Sequence, residues 1–217
     1  MELLLIRHAQ SQNNALPESQ RVEDPGITET GRRQAALLAE RLPQWDVELV
    51  LTSAFRRALE TAAALQAVGV QPHIWSELHE VGGCYEGHLP GQMNGRPGMS
   101  AETIEKHFPG FTMEQRISEE GWWACRARET NSQSWQRAES QAGRLVQLRQ
   151  QQRRVACVIH ADFKSLLLQV LLGDAWQPLA AEPLYNTGVT WLDCGGDQIQ
   201  VLKFNDVAHL PEDCLTD

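Results

Sequence analysis

The chain has 217 residues, of which 42% are hydrophobic, and its formal net charge at pH 7 is -9. This length and hydrophobic content suffice for one substantial core, so we expect a single domain spanning residues 1–217. A strongly acidic chain is a poor candidate for binding nucleic acid or anionic membranes. Any phosphate site must therefore depend on a local cluster of cationic side chains.

The five cysteines are scattered along the chain, and none belongs to a Cys-x-x-Cys pair. This pattern favours free thiols in a reducing compartment over disulfides or a zinc site. The N-terminus lacks the basic and long apolar segments of a secretion signal, and no apolar run approaches the length of a membrane span. We therefore expect a cytoplasmic protein. No sequence feature indicates an oligomeric state.

The first predicted element is a short strand at residues 3–6, where four large aliphatic residues follow one another. Such a run is typical of a strand that is buried on both faces. Arg7 and His8 follow it directly, at the end where ligands bind in open α/β folds. The polar segment 11–20 is predicted to be a loop.

Two helix-strand units follow. Thr28 is predicted to cap a helix whose apolar residues recur at helical spacing until Pro43 ends it. Residues 47–51 form the second predicted strand. Ser53 is predicted to cap the next helix, and Gly69 stands where a C-terminal cap belongs.

A short third strand at residues 73–75 leads into a glycine-punctuated loop at 77–87. The segment at about 88–128 is the least regular part of the chain, with one short helix predicted at 100–108. A long irregular stretch inside a domain is usually a lid or a binding insertion. The alternative is a surface excursion that aromatic residues such as Trp122 fix to the body of the protein.

Helical periodicity returns at residues 132–152, with Trp135 on the predicted buried face. An apolar strand at 155–159 follows, and His160 opens a further helix that runs to Leu172. Two last strands, separated by a glycine turn, are predicted to form an antiparallel hairpin at the sheet edge, and the last dozen residues to form a loosely held tail. The predicted fold class is therefore α/β: a three-layer αβα sandwich around a mostly parallel sheet with an antiparallel edge hairpin.

Side chains that could bind a ligand or take part in catalysis follow four of these strands. Because the carboxyl ends of parallel strands meet at one edge of a sheet, we expect them to converge there. Alone, each has an ordinary explanation, such as a solvated arginine or a structural histidine. An arginine beside a histidine at this edge suggests a phosphate site, since guanidinium binds phosphate oxygens bidentately and imidazole can attack phosphorus. The residues are Arg7 and His8, Arg56 and Arg57, Glu80 and Glu86, and His160.

Five blocks of the sequence resemble, in order, the motifs of the histidine phosphatase superfamily, which is also called phosphoglycerate-mutase-like. One such block would be weak support for membership of this family, but five blocks in the same order are a specific signal. In the third block the resemblance places the functional arginine at Arg57. The blocks are residues 7–14, 24–35, 52–62, 78–87 and 159–161.

The resemblance implies a metal-independent phosphatase that needs no organic cofactor. Its substrate would be a small phosphomonoester, namely a small phosphorylated metabolite. His8 would attack phosphorus and form a phosphohistidine intermediate. Arg7, Arg57 and Asn14 would bind the phosphoryl oxygens, and His160 would donate a further hydrogen bond. Nearby cations are expected to lower the pKa of His8 and so favour its neutral, nucleophilic form.

The general acid has two candidates, because the acid-bearing loop is one residue shorter than is common in the family. The spacing from Leu78 favours Glu80 over Glu86. This carboxyl would protonate the leaving oxygen and then take a proton from water. Ala9 and Ala161 stand where the family usually has glycine, and a methyl group at that place could tighten the phosphate pocket.

Two other functions are weighed against the phosphatase. A phosphoglycerate mutase would return the phosphoryl group from His8 to another hydroxyl, which requires water exclusion and additional cations. A non-catalytic binding domain of the same fold is disfavoured by the presence of His8 and Glu80. The candidates for additional cations are Lys106, His107, Arg126, Arg128 and Lys164.

A metal site is the last alternative. His79, Cys84 and His88 lie close together in sequence, but their spacing matches no zinc pattern. We therefore expect no metal.

Overall fold

The computed structural model describes residues 1–89, 91–114, 117–177 and 179–217. Within these residues the strands form one seven-stranded sheet and a separate two-stranded pair at residues 85–86 and 94–95. The strands are β1 (Glu2–Arg7), β2 (Leu49–Thr52), β3 (Pro72–Ile74), β4 (Tyr85–Glu86), β5 (Asn94–Gly95), β6 (Thr112–Met113), β7 (Arg154–Ile159), β8 (Val189–Asp193) and β9 (Gln200–Asp206).

The strand order in the main sheet is β6-β3-β2-β7-β1-β8-β9. The first five strands run parallel, whereas β8 pairs antiparallel with β1 and β9 pairs antiparallel with β8. The mostly parallel sheet with an antiparallel edge hairpin is thus confirmed. The parallel strands all deliver their carboxyl ends to one edge.

Helices cover both faces of this sheet. Side chains alternate along a strand, so Leu4 and Ile6 of β1 join a core with α2 (Glu29–Arg41) and α3 (Arg56–Gln66). Leu3 and Leu5 join a second core with α5 (Asn131–Gln147) and α6 (Ala161–Leu172). The three-layer αβα arrangement is therefore confirmed. No helix of the described ranges is long and apolar enough to cross a membrane. The helices are α1 (Gln12–Ala15), α2 (Glu29–Arg41), α3 (Arg56–Gln66), α4 (Ala101–His107), α5 (Asn131–Gln147) and α6 (Ala161–Leu172).

The predicted helix caps have different outcomes. Thr28 caps α2, since its hydroxyl accepts a hydrogen bond from the Gly31 amide at 3.0 Å. The prediction for Ser53 is wrong, because α3 begins later and Phe55 occupies its N-cap position. The Ser53 hydroxyl instead lies 2.8 Å from Nε2 of His160, and this distant partner determines its role.

The segment 11–20 is not the plain loop that its polarity predicted. Ser11 and Asn14 form a reciprocal capping box around α1, in which each side chain accepts a hydrogen bond from the other's backbone amide. A short turn of 3₁₀-helix follows at Glu18–Gln20. A four-residue polar helix has no apolar face, so hydrophobic periodicity could not reveal it.

The C-terminal segment is docked rather than loosely held. The Gln34 amide donates hydrogen bonds to the Cys214 carbonyl at 2.7 Å and to the Thr216 hydroxyl at 2.8 Å. The Asn186 amide donates to the Thr216 carbonyl at 2.8 Å, and Cys214 is buried. These partners lie far away in sequence, so the composition of the tail could not predict that it docks on the domain.

The segment 88–128 contains β5, α4 and β6, and β6 adds an unexpected edge strand to the main sheet. Residues 90, 115 and 116 lie outside the described residues. Trp122 and Trp123 are buried, and their rings pack edge-on against Phe55 and His79 at centroid distances of 4.7 and 5.0 Å. The aromatics thus fix this segment to the body, and its action as a lid stays a prediction.

Three residues expected on the buried face of α5, Ala138, Ala142 and Leu145, are buried. Trp135 is only half-buried, and its indole donates to Glu139. The buried face also includes polar residues such as Arg137. The pattern of apolar residues could not predict that these polar residues are buried.

Candidate active site

The loops after β1, β2, β3 and β7 leave the same edge of the sheet, as parallel strands require. They surround a cavity of about 380 Å³. Arg7, His8, Asn14, Arg57 and Glu80 all line this cavity. The structure therefore brings together five of the six residues proposed from the sequence at the cavity wall.

His8 is buried and its imidazole is held at both nitrogens. Nδ1 lies 2.7 Å from the Ala9 carbonyl, which can only accept, so Nδ1 carries the proton. Nε2 then accepts a hydrogen bond from Nε of Arg57 at 3.1 Å. Burial, and after it the charges of Arg57 and Arg7, hold the pKa of His8 well below its ordinary value. The ring is therefore neutral, with its Nε2 lone pair fixed.

The two site arginines are buried, whereas the neighbouring Arg56 is exposed and pairs with Glu60. Arg7 donates from Nη1 to the Leu184 carbonyl. Burial lowers the pKa of Arg7 and Arg57, but arginine stays protonated in proteins. Two positive charges thus flank the His8 ring.

His160 lies behind this pair in a fully buried position, with its ring centroid 5.1 Å from that of His8. Burial, and next the charge of Arg57, lower its pKa well below the ordinary value, so it is neutral. Nδ1 of His160 and Nε of Arg7 are buried without a hydrogen-bond partner among the residues that the structure describes. Buried polar groups without partners are costly, so these two atoms are candidate donors to a bound anion.

Asn14 lines the cavity in a fixed orientation. Its Oδ1 accepts hydrogen bonds from the amide and the hydroxyl of Ser11, at 3.0 and 2.9 Å. This leaves the Nδ2 protons of Asn14 as its donors to a bound group.

The methyl group of Ala9 does not point at the cavity. It packs with Ile27 and Ala35 in a small apolar cluster, and the Ala9 amide donates to the Thr61 hydroxyl at 3.0 Å. Ala161, by contrast, lines the cavity at the start of α6. Of the two positions where the family usually has glycine, only the second lines the cavity in this chain.

Glu80 has a structural contact that the sequence did not reveal. Its Oε1 accepts hydrogen bonds from the amides of Val81 and Phe163, at 2.8 and 3.0 Å, and Oε2 accepts from Asp162 at 3.4 Å. Asp162 and Phe163 are in the first turn of α6, so Glu80 caps this helix from another loop. Burial raises its pKa, Asp162 raises it further, and Arg57 and the amides lower it, with a net rise.

Glu86 also lines the cavity, but it is exposed and lies 3.5 Å from Nε of Arg96. The outer wall carries both signs of charge, since Arg21 and Arg128 face it together with Glu18, Glu23 and Asp162. Of the five additional cations considered for a mutase, Arg128 is the one that the described structure places at this wall.

No group of three or more metal-binding side chains occurs within the described parts of the chain. Nδ1 of His79 lies 2.9 Å from the Glu80 carbonyl, and burial is the main cause that lowers the pKa of His79 to about 3. His79, Cys84 and His88 thus do not assemble into a metal centre in this part of the protein.

Asn186 and Lys164 hold the backbone around His8. The sequence did not indicate this role, because a single asparagine or lysine carries no motif, and it suggested Lys164 only as an additional cation for a mutase. The Asn186 side chain donates to the His8 carbonyl at 3.0 Å. Lys164, which is fully buried, donates from Nζ to the Gly188 carbonyl at 2.9 Å, and the Arg7 amide donates to the same carbonyl.

Lys164 is expected to make stability depend on pH. Burial, and then the charge of Arg7, lower its pKa from 10.5 to about 7. Between these values the unfolded chain binds the proton that the folded chain has lost, so the free energy of unfolding should rise with pH by up to about 1.4 kcal/mol per unit. Urea unfolding between pH 7 and 10 should show this slope in the wild type and a smaller slope in Lys164→Met. The exposed Lys203→Met is the control, and an unchanged slope in Lys164→Met would contradict the assignment.

The model of the histidine phosphatase superfamily (branch 1) matches residues 3–207. A probable phosphatase of Schizosaccharomyces pombe is 37% identical over 79 residues, which are 36% of this chain and 38% of that protein. Phosphoserine phosphatase 1 of Hydrogenobacter thermophilus is 36% identical over 62 residues, 29% of each chain. The matched part therefore spans about a third of these relatives.

A solved structure resembles nearly the whole chain. Phosphoserine phosphatase of Entamoeba histolytica, in complex with 3-phosphoglyceric acid, superimposes with a TM-score of 0.66 at 22% identity. The match covers 97% of this chain and 99% of that one. At this identity the likeness concerns the fold.

Proposed function

The chain belongs to the histidine phosphatase superfamily, and we propose that it hydrolyses a small phosphomonoester through a phosphohistidine on His8. One observation carries this proposal. The neutral His8 ring keeps its proton on Nδ1 and presents Nε2 to Nε of Arg57 at 3.1 Å, so the nucleophilic lone pair is already oriented. The surrounding cations suit phosphoryl transfer, which depends mainly on positioning and charge stabilisation.

The phosphoryl group would be bound by Arg7, Arg57, Asn14 and His160. Arg57 would exchange its hydrogen bond to His8 for one to a phosphoryl oxygen, which frees Nε2 for attack. The buried Nε of Arg7 and Nδ1 of His160 would gain the partners they lack among the described residues. Nε of Arg7 and Nδ1 of His160 would therefore not have to give up a hydrogen bond within the protein in order to bind the anion.

The reaction would proceed in two steps with Glu80 as general acid and then general base. First, Nε2 of His8 bonds to phosphorus, the bond from phosphorus to the leaving oxygen breaks, and Glu80 gives that oxygen a proton. Then water bonds to phosphorus, the bond to His8 breaks, and the water proton returns to Glu80. Oε2 suits this exchange, because Oε1 already accepts two shorter hydrogen bonds.

The proposed substrate is a small phosphorylated metabolite. Phosphoserine is the first compound to test, since two similar proteins are named for it and the cavity wall offers arginines for a carboxylate and carboxylates for an ammonium group. The segment 88–128 would act as the lid or binding insertion of this single domain. We also propose a cytoplasmic location, which the five unpaired cysteines support.

The test is an assay of the purified protein with p-nitrophenyl phosphate in the presence of a chelator, followed by a panel of phosphometabolites that includes phosphoserine. We expect turnover that the chelator does not change. Absence of turnover, or its loss with chelator, would contradict the proposal. Phosphate transfer between the hydroxyls of a phosphoglycerate, faster than release of inorganic phosphate, would favour the mutase.

A further inference from the structure

A buried ion pair outside the cavity contacts the loop that carries Glu80. Arg137 of α5 and Glu129, just before that helix, have side chains that are 6% and 8% exposed. The pair is bidentate, with Nε to Oε1 at 2.8 Å and Nη2 to Oε2 at 2.7 Å. Taking two charges out of water is expensive, so a pair of this kind calls for an explanation beyond stability.

The pair holds the acid loop at both ends. Nη1 of Arg137 donates to the carbonyls of Glu77 and His79, at 2.8 and 3.0 Å. On the other side, the Glu129 amide donates to the Gly82 carbonyl at 3.0 Å, and the Gly82 amide donates to Oε2 of Glu129 at 3.4 Å. The segment 77–82 is thus fixed before and after its catalytic candidate.

The same guanidinium also supports the group that orients the carboxyl. It lies 4.0 Å above the ring of Phe163, and the Phe163 amide donates to Oε1 of Glu80 at 3.0 Å. Arg137 therefore contacts both the backbone that carries Glu80 and the residue whose amide holds its carboxylate.

We propose that the Arg137–Glu129 pair is a positioning device for the general acid, a role that rests on the proposed function. The pair touches neither substrate nor reacting atoms. It keeps the Glu80 carboxyl at the place where a proton can reach the leaving oxygen, and proton transfer requires such placement within hydrogen-bond distance.

Two matched substrates separate this role from a merely structural one. Phenyl phosphate and p-nitrophenyl phosphate have nearly the same shape, but the nitrophenolate anion leaves without a proton far more readily. A displaced acid should therefore slow phenyl phosphate more than p-nitrophenyl phosphate, whereas general damage to the fold should slow both alike.

The experiment measures kcat and KM of Arg137→Lys and Glu129→Gln on both substrates. We expect kcat on phenyl phosphate to fall about tenfold more than kcat on p-nitrophenyl phosphate, with KM little changed. Arg154→Met is the matched control, because Arg154 also pairs with a glutamate, Glu2 at 2.9 Å, and donates to a carbonyl, but at the opposite edge of the sheet. Its ratio should equal that of the wild type.

Equal losses on both substrates, or no loss, would overturn the positioning role. Glu129→Gln keeps the size of the side chain, so this variant tests the proposal by itself if Arg137→Lys does not fold. Glu80→Gln separates the two proposals: if it shows the selective loss and the pair variants do not, the positioning role fails and the proposed function stands. A wild type without turnover would overturn both.

Discussion

His8→Ala is expected to lower kcat for p-nitrophenyl phosphate by about three orders of magnitude or more, because the substitution removes the nitrogen that attacks phosphorus. His160 cannot replace it, although its ring centroid lies 5.1 Å from that of His8, because His160 is fully buried and its Nε2 is engaged with Ser53 at 2.8 Å. Steady-state assays with purified variants measure the effect, and His107→Ala, an exposed histidine at the end of α4, is the control.

The same assignment predicts a covalent intermediate. Rapid quenching of the wild type at alkaline pH, followed by peptide mapping, should find a phosphoryl group on His8, since phosphohistidine is stable to base and labile to acid. Substantial turnover by His8→Ala, or phosphate on a different residue, would disprove the role of His8.

The layout of the site could be predicted because it depends on the parallel sheet. The apolar runs at 3–6 and 155–159 identified two central strands, and each run ends in a histidine, His8 or His160. Once the strands are parallel and adjacent, their carboxyl ends must lie together, and the observed 5.1 Å between the two rings follows from that topology.

Interactions between distant segments could not be predicted, since they leave no local pattern. The hydrogen bonds from α6 to Glu80 join residues 82 and 83 positions apart. The bond between Ser53 and His160 spans 107 positions, and it overrode the capping role that the local sequence indicated for Ser53. The docking of the tail could not be predicted for the same reason, because the hydrogen bond from Gln34 to Thr216 spans 182 positions.

Ala9 shows how a departure from a family pattern becomes interpretable. From the sequence, its methyl group could have crowded the phosphate. In the fold, the side chain turns toward Ile27 and Ala35, and the backbone amide is satisfied by Thr61. We infer that the substitution was accommodated by a small apolar cluster beneath the loop, so the cavity itself is unaffected at this position.

Glu80→Gln is the second substitution with a large expected effect. Loss of a general acid typically costs 10² to 10⁴ in rate, and about this loss is expected on phenyl phosphate. Glu86→Gln should stay within about threefold of the wild type, since Glu86 is exposed beside Arg96 and lacks the amide contacts that fix Glu80. The reverse order of effects would assign the acid to Glu86.

The pH profile gives an independent test of the same assignment. A general acid must be protonated at the start of the reaction, so kcat/KM should fall as pH rises through the pKa of Glu80. Burial raises that pKa, which places the fall at a higher pH than an ordinary glutamate would give. The pKa of His8 is held well below its ordinary value, which favours the neutral, nucleophilic form of its ring. Glu80→Gln should lose this alkaline limb, whereas Glu86→Gln should retain it, and a limb that persists in Glu80→Gln would show that another group supplies the proton.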